Sequence, residues 1–168
     1  MNILKHIHTI INNINSMNIV TTLDQFSSHS VYFADPIKNT VIPNSNFIRI
    51  YYSNKHFTLN GIYILINLYN TTTEKYYNKY KCQFSISDNS EIISQLCAIE
   101  NMILLKNTIP NKTPQCILSQ QLKSGFMKLF ADNDSTFPTN MKFILKISGL
   151  WENSNEYGIT YKFIPVTY

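Results

Sequence analysis

Glycine is scarce in this chain, four residues in 168, and tryptophan occurs once. No P-loop, GxGxxG, GxSxG or HExxH can be found, so the common phosphate-cradling and hydrolytic motifs are excluded. Cysteine is limited to Cys82, Cys97 and Cys116, an odd number, widely spaced, with no CxxC and no neighbouring histidine pair. That spacing suggests neither a disulfide framework nor a zinc site, and reduced thiols in an intracellular compartment are expected. Long apolar runs are also missing. MNILKHIHTIINNINSMNIV (1–20) is interrupted by Lys5, His6, His8 and several asparagines and lacks the continuous apolar run of a signal peptide or membrane helix, so neither is expected there. The chain is read as soluble, with no membrane partner.

Arginine is nearly absent: Arg49 stands against thirteen lysines. Together with abundant Asn, Ile and Tyr, this is the bias that AT-rich codons give. A net charge of +4 allows a polyanionic partner without demanding one. His6, His8, His29 and His56 have no carboxylates at useful spacing, and Glu152 and Glu156 flank a polar turn where solvated charges are expected. No catalytic residue, metal or cofactor is expected, and the protein is read as non-catalytic.

What is present is enough apolar sequence, 44%, for one core. Residues 1–30 read as an N-terminal helix or arm, and 31–168 as a single domain. FADPIKNTVIPNSN (33–46) reads as loop, then FIRIYYS (47–53) and GIYILINLY (61–69) as strands, with a turn near Asn54 and Lys55. TTTEKYYNK (71–79) reads as a polar loop, and KYKCQFSIS (79–87) alternates as a half-buried strand. Residues 89–106 form the one amphipathic helix, with Ile92, Leu96, Ile99 and Ile103 on one face and capping-box spacing from Asp88 to Glu91. A short connector and a strand over 126–130 follow, and the last two strands are joined across ENSNE. About six strands and one helix make the fold class mainly β, a β-rich α+β domain with the element list of an OB-fold-like closed barrel; a sandwich is the alternative.

Cations and rings recur together along these strands. Arg49 and Lys55 accompany Tyr51 and Tyr52, Lys81 accompanies Tyr80, Lys128 lies between Phe126 and Phe130, and Lys142, Lys146, Tyr157 and Lys162 fall on the final hairpin. Non-specific binding of single strands needs this combination: cations along the phosphates and flat rings under the bases. Alternation places Phe143, Leu145 and Ile147 on one face and Lys142, Ile144, Lys146 and Ser148 on the other. Lysines that alternate outward for solubility give the same pattern at any one position. Gly149 and Gly158 mark a bulge, a bend or a close backbone approach. Trp151 beside them either plugs the barrel or stands at its rim.

The blocks FADPIKN, NFIRIYYSN, EIISQLCAIENMIL, QLKSGFMKLF and above all LKISGLWENSNEYGITYKF (145–163) resemble the OB-fold single-stranded-DNA-binding proteins of large eukaryotic DNA viruses and related insect and protist viruses. The resemblance runs from about Val31 to Ile164. It implies the fold and a ligand class: single-stranded DNA, with RNA open, bound during viral replication, recombination or repair in the host cytoplasm (viral factory) or nucleus. The local pattern supplies the contacts expected: Arg49, Tyr51, Lys55, Lys81, Lys128, Lys142, Lys146, Trp151, Tyr157 and Lys162. A homo-oligomer is allowed. The alternative is a structural or interaction protein, a virion component or scaffold, that uses the barrel for protein contacts.

Overall fold

The computed structural model describes residues 19–77, 79–129 and 139–166, so most of the helix or arm expected over 1–30 lies outside it. The architecture is mainly β, with twelve strands and two α-helices among the described residues. Its centre is the hairpin of β11 (Met141–Glu152) and β12 (Glu156–Pro165). Their register is interrupted once, between Ile147 and Gly149, where Ser148 is an extra residue. A bulge bends the strand that carries it. The bend lets β11 change partner: Met141–Ile147 pair with β6 (Ile62–Leu68), and Gly149–Glu152 with β4 (Asn46–Ser53).

On its other edge β12 pairs in parallel with β9 (Thr113–Gln115) near its start and with β10 (Phe126–Leu129) near its end. From β10 the sheet continues antiparallel through β8 (Lys79–Phe84) to β7 (Thr71–Tyr76). Four short strands complete it. β1 (Thr21–Thr22) lies beside β6, while β2 (Val31–Phe33), β3 (Ile37–Lys38) and β5 (Thr58–Leu59) lie beside β4.

Alternation turns one face of this sheet into the core. Ile62, Ile64, Ile66 and Leu68 are buried opposite Phe143, Leu145 and Ile147, and Tyr80, Cys82, Met127, Leu129 and Phe163 join them. Each such side chain contributes about 1.5–3 kcal/mol of burial. Helix α1 (Ser90–Lys106) adds Ile93, Leu96, Ile99, Ile103 and Leu104, with Ile92 half-buried at its margin. Helix α2 (Ile117–Lys123) adds Leu118 and Leu122. No helix among the described residues is long and apolar enough to cross a membrane.

Several expectations change. The sheet is not closed into a barrel: the path of strands ends at β1 and β7. The edge of β6 is taken by β1, through Thr21–Ile64 and Thr22–Leu65. The chain turns away after Leu68 through Asn70, at φ 53°, so β7 pairs with β8 alone. TTTEKYYNK is therefore largely a strand, as its threonines and tyrosines favour. Among the described residues a second α-helix, α2, joins the amphipathic one expected over 89–106. The connector becomes α2 because a distant carboxylate, that of Glu100, accepts the Leu118 and Ser119 N–H groups at 2.9 and 2.7 Å. Asp88 does not cap α1 as expected. Its neighbour Asn89 is the N-cap residue and holds the β6–β7 turn instead, accepting the Tyr69 N–H at 2.9 Å and donating to the Tyr69 carbonyl at 2.9 Å.

Candidate nucleic-acid interface

The outward face of the sheet carries a row of cations that runs across the strands. Lys146 on β11 is the direct partner of Tyr63 on β6 and of Lys162 on β12. Leu129 pairs with Phe163, and one step back along these parallel strands Lys128 lies beside Lys162. Lys128 then pairs with Lys81 on β8, and Lys81 with Glu74 on β7. Four lysines on four consecutive strands thus lie in one row, about 4.8 Å apart from strand to strand. Tyr63 closes the β6 end of the row; at the other end Glu74 follows Lys81, and the Phe126 ring lies beside the row on β10. The Lys146 ammonium stands 5.0 Å from the Tyr63 ring centre and that of Lys81 5.0 Å from the Phe126 ring. Lys79, Tyr80, Lys81, Phe126 and Lys128 line a cleft of about 430 Å³ at the Lys81 end. Lys142 is exposed on the same face two rows along, opposite Asn67, and the row between holds Ile144, which is buried despite its outward alternation.

A second group lies where β11 meets β4. Phe47, Arg49 and Tyr51 alternate outward there. Gly149 and Gly158 are the floor beneath two rings. A Cβ on Gly149 would fall 2.6 Å from the Phe47 ring and 2.3 Å from the Ile48 carbonyl oxygen; one on Gly158 would fall 3.0 Å from the Trp151 indole. The two glycines therefore let Phe47 and Trp151 lie flat on the sheet. Trp151 is half-buried, intermediate between plug and rim. Arg49 stacks over Phe47 at 5.7 Å and donates to Asn60 Oδ1 at 2.9 Å.

The expected contacts thus divide. Lys81, Lys128, Lys146 and Lys162 form the row with Lys142 two rows away on the same face, while Arg49, Tyr51 and Trp151 belong to the β4 group. Lys55 stands apart, exposed at the tip of the β4–β5 turn. Tyr157 is a correction: it is only 3% exposed, and its hydroxyl donates to the Leu104 carbonyl at 3.4 Å, so it is core and not a contact. Its position after the bend-forming turn resembles a rim, but alternation from Ile159 assigns it inward.

The acidic groups also depart from expectation. Glu152 is buried and not a solvated end; it pairs with Lys112 at 2.5 Å and accepts from Asn46 Nδ2 at 3.0 Å. The Lys112 hydrogen bond holds its carboxyl below the usual range. Glu156 accepts from Gln115 at 2.8 Å. Tyr161 faces inward, its hydroxyl donating to Gln121 Oε1 at 2.6 Å, and burial pushes its pKa to about 12. Among the described residues no cluster of three His, Cys, Asp or Glu could hold a metal ion. Phe47 and Tyr63 are the ring residues that sequence reasoning missed. Outward alternation from Arg49 would have found Phe47, whereas Tyr63 needs the β6–β11 register. No family model, curated protein or solved structure matches the chain.

Proposed function

We propose that this protein binds single-stranded nucleic acid, DNA in the first place, without sequence preference and without catalysis. The observation that carries this reading is the Lys146–Lys162–Lys128–Lys81 row. Like charges placed directly opposite each other destabilise a sheet. A chain of phosphates laid across the strands removes that repulsion and releases counterions. Tyr63 at one end of the row, Phe126 beside it on β10, and Phe47 and Trp151 beyond it, offer faces on which bases stack. The virus-family resemblance of the sequence favours the same ligand class. In this reading the sheet is an OB-like barrel left open between β1 and β7, and the protein coats strands exposed during replication, recombination or repair.

Fluorescence anisotropy with labelled oligonucleotides tests the proposal. Single strands should bind more tightly than duplex, with affinity falling as salt rises. Equal affinity for duplex, or no binding at low salt, would remove it.

A further inference from the structure

The groove between the 37–42 segment and β4 has a composition unlike the lysine row. It encloses about 360 Å³, within the range of small-molecule sites. Its walls are Ile37, Val41, Ile42 and the Phe47 ring; Lys38 and Arg49 also line it, and no carboxylate does. Three aliphatic side chains stand in solvent at its mouth, Val41 at 85%, Ile37 at 55% and Ile42 at 43% exposure. A flat apolar slot with cations at its edge fits a planar ring that carries an anion.

The slot is pre-formed. Asn39 Oδ1 accepts the Val41 and Ile42 N–H groups at 2.9 and 3.2 Å, Ser45 Oγ donates to the Ile42 carbonyl at 2.8 Å, and the Asn39 N–H reaches the Ser45 carbonyl at 2.9 Å. Asn44 closes the turn at φ 56°, a conformation that Asn tolerates. Little ordering is then left for a ligand to impose. The groove also adjoins the lysine row. Thr160 lines it, and Lys162 lies two residues further along the same face of β12, about 7 Å away.

We infer that this groove is a base subsite: one nucleobase of the bound strand inserts between the Phe47 ring and the Val41–Ile42 wall, with its phosphate on Arg49 and Lys38. The inference rests on the single-strand reading and adds a site that takes the base itself. The base gains stacking and burial on the apolar walls, while the two cations hold its anion. Arg49 is already oriented by Asn60 and by the Phe47 face.

Trp151 supplies the readout. It is the only tryptophan in the chain and the direct strand partner of Phe47, so its fluorescence reports on this groove. Full-length protein is titrated with an oligothymidylate and with an equally long abasic deoxyribose-phosphate oligomer, and binding is followed by Trp151 emission and by anisotropy. The thymidylate should quench Trp151 and bind about tenfold more tightly than the abasic strand. The double variant Val41→Ser with Ile42→Ser, at exposed positions that leave the fold intact, should erase most of that base-dependent difference and keep the salt slope. Retained discrimination in the double variant, or equal Trp151 quenching by both strands, overturns the subsite. Quenching by an unrelated apolar peptide but not by thymidylate also overturns it, and makes the groove a protein-docking site. Failure of the parent reading looks different: neither strand binds with any salt dependence.

Discussion

Lys81 and Lys128 are direct cross-strand partners on the outward face of β8 and β10. Lys162 and Lys146 continue the same row, so the unliganded protein holds four like charges in register. Replacing Lys128 and Lys162 together by Ala should lower the slope of log affinity against log salt by about 1.4, each single-strand phosphate contact contributing about 0.7. The melting temperature at low salt should stay constant or rise slightly, since repulsion is relieved. An unchanged slope would move the strand off this face.

The glycine floor gives a prediction about folding. A Cβ at Gly149 meets the backbone carbonyl of Ile48 at 2.3 Å, a contact that no side-chain rotation relieves. At Gly158 the nearest atoms, the Gln115 carbonyl and the Trp151 indole, are at 3.0 Å. Gly149→Ala should therefore cost about 2–3 kcal/mol and Gly158→Ala distinctly less, as overpacking costs run. Urea denaturation of both variants checks the order. Equal costs would mean that β4 and β11 shift apart freely.

Much of this was legible because alternation is a local signal. Phe143, Leu145 and Ile147 face inward and Lys142 and Lys146 outward as the strand period requires, and α1 falls at Ser90–Lys106 within one residue of the expected span. The exceptions depend on distant partners. Helix α2 has no cap of its own and is started by Glu100, buried eighteen residues earlier at its nearest contact. The pairing of Lys112 with Glu152 spans 40 residues. Barrel closure likewise depends on which strand occupies the edge of β6, and Thr21–Thr22 gives no local sign that it does. The lysines could be named from the sequence, but their row needed the β10–β12 register.

Trp151 offers a contrast between stability and binding. A fully buried tryptophan truncated to Ala loses about 3–5 kcal/mol. Trp151 is half-buried, lying on Gly158 beside Phe47, so Trp151→Ala should lose about 1–3 kcal/mol and also weaken single-strand binding. Thermal melts and anisotropy on the same samples separate the two effects. A loss of stability with binding intact would assign Trp151 to packing alone.

The last prediction concerns pH. Glu152 is buried, and the hydrogen bond from Lys112 depresses its pKa, with Asn46 adding to the shift. A group whose pKa is lowered by folding stabilises the protein above its unfolded pKa, about 4.3 for glutamate, and loses that contribution as pH falls through the folded value. Lys112→Met keeps the aliphatic stem and leaves a buried carboxylate without its cation. It should cost about 1–3 kcal/mol at neutral pH. The gap between variant and parent should shrink as pH drops below the ordinary glutamate range, where both carry a neutral Glu152. Denaturation midpoints measured from neutral to acid pH decide it. A gap that stays constant across that range would show that Lys112 contributes through its stem and not through its charge, and that the hairpin end is held by Asn46 and the β11–β12 ladder instead.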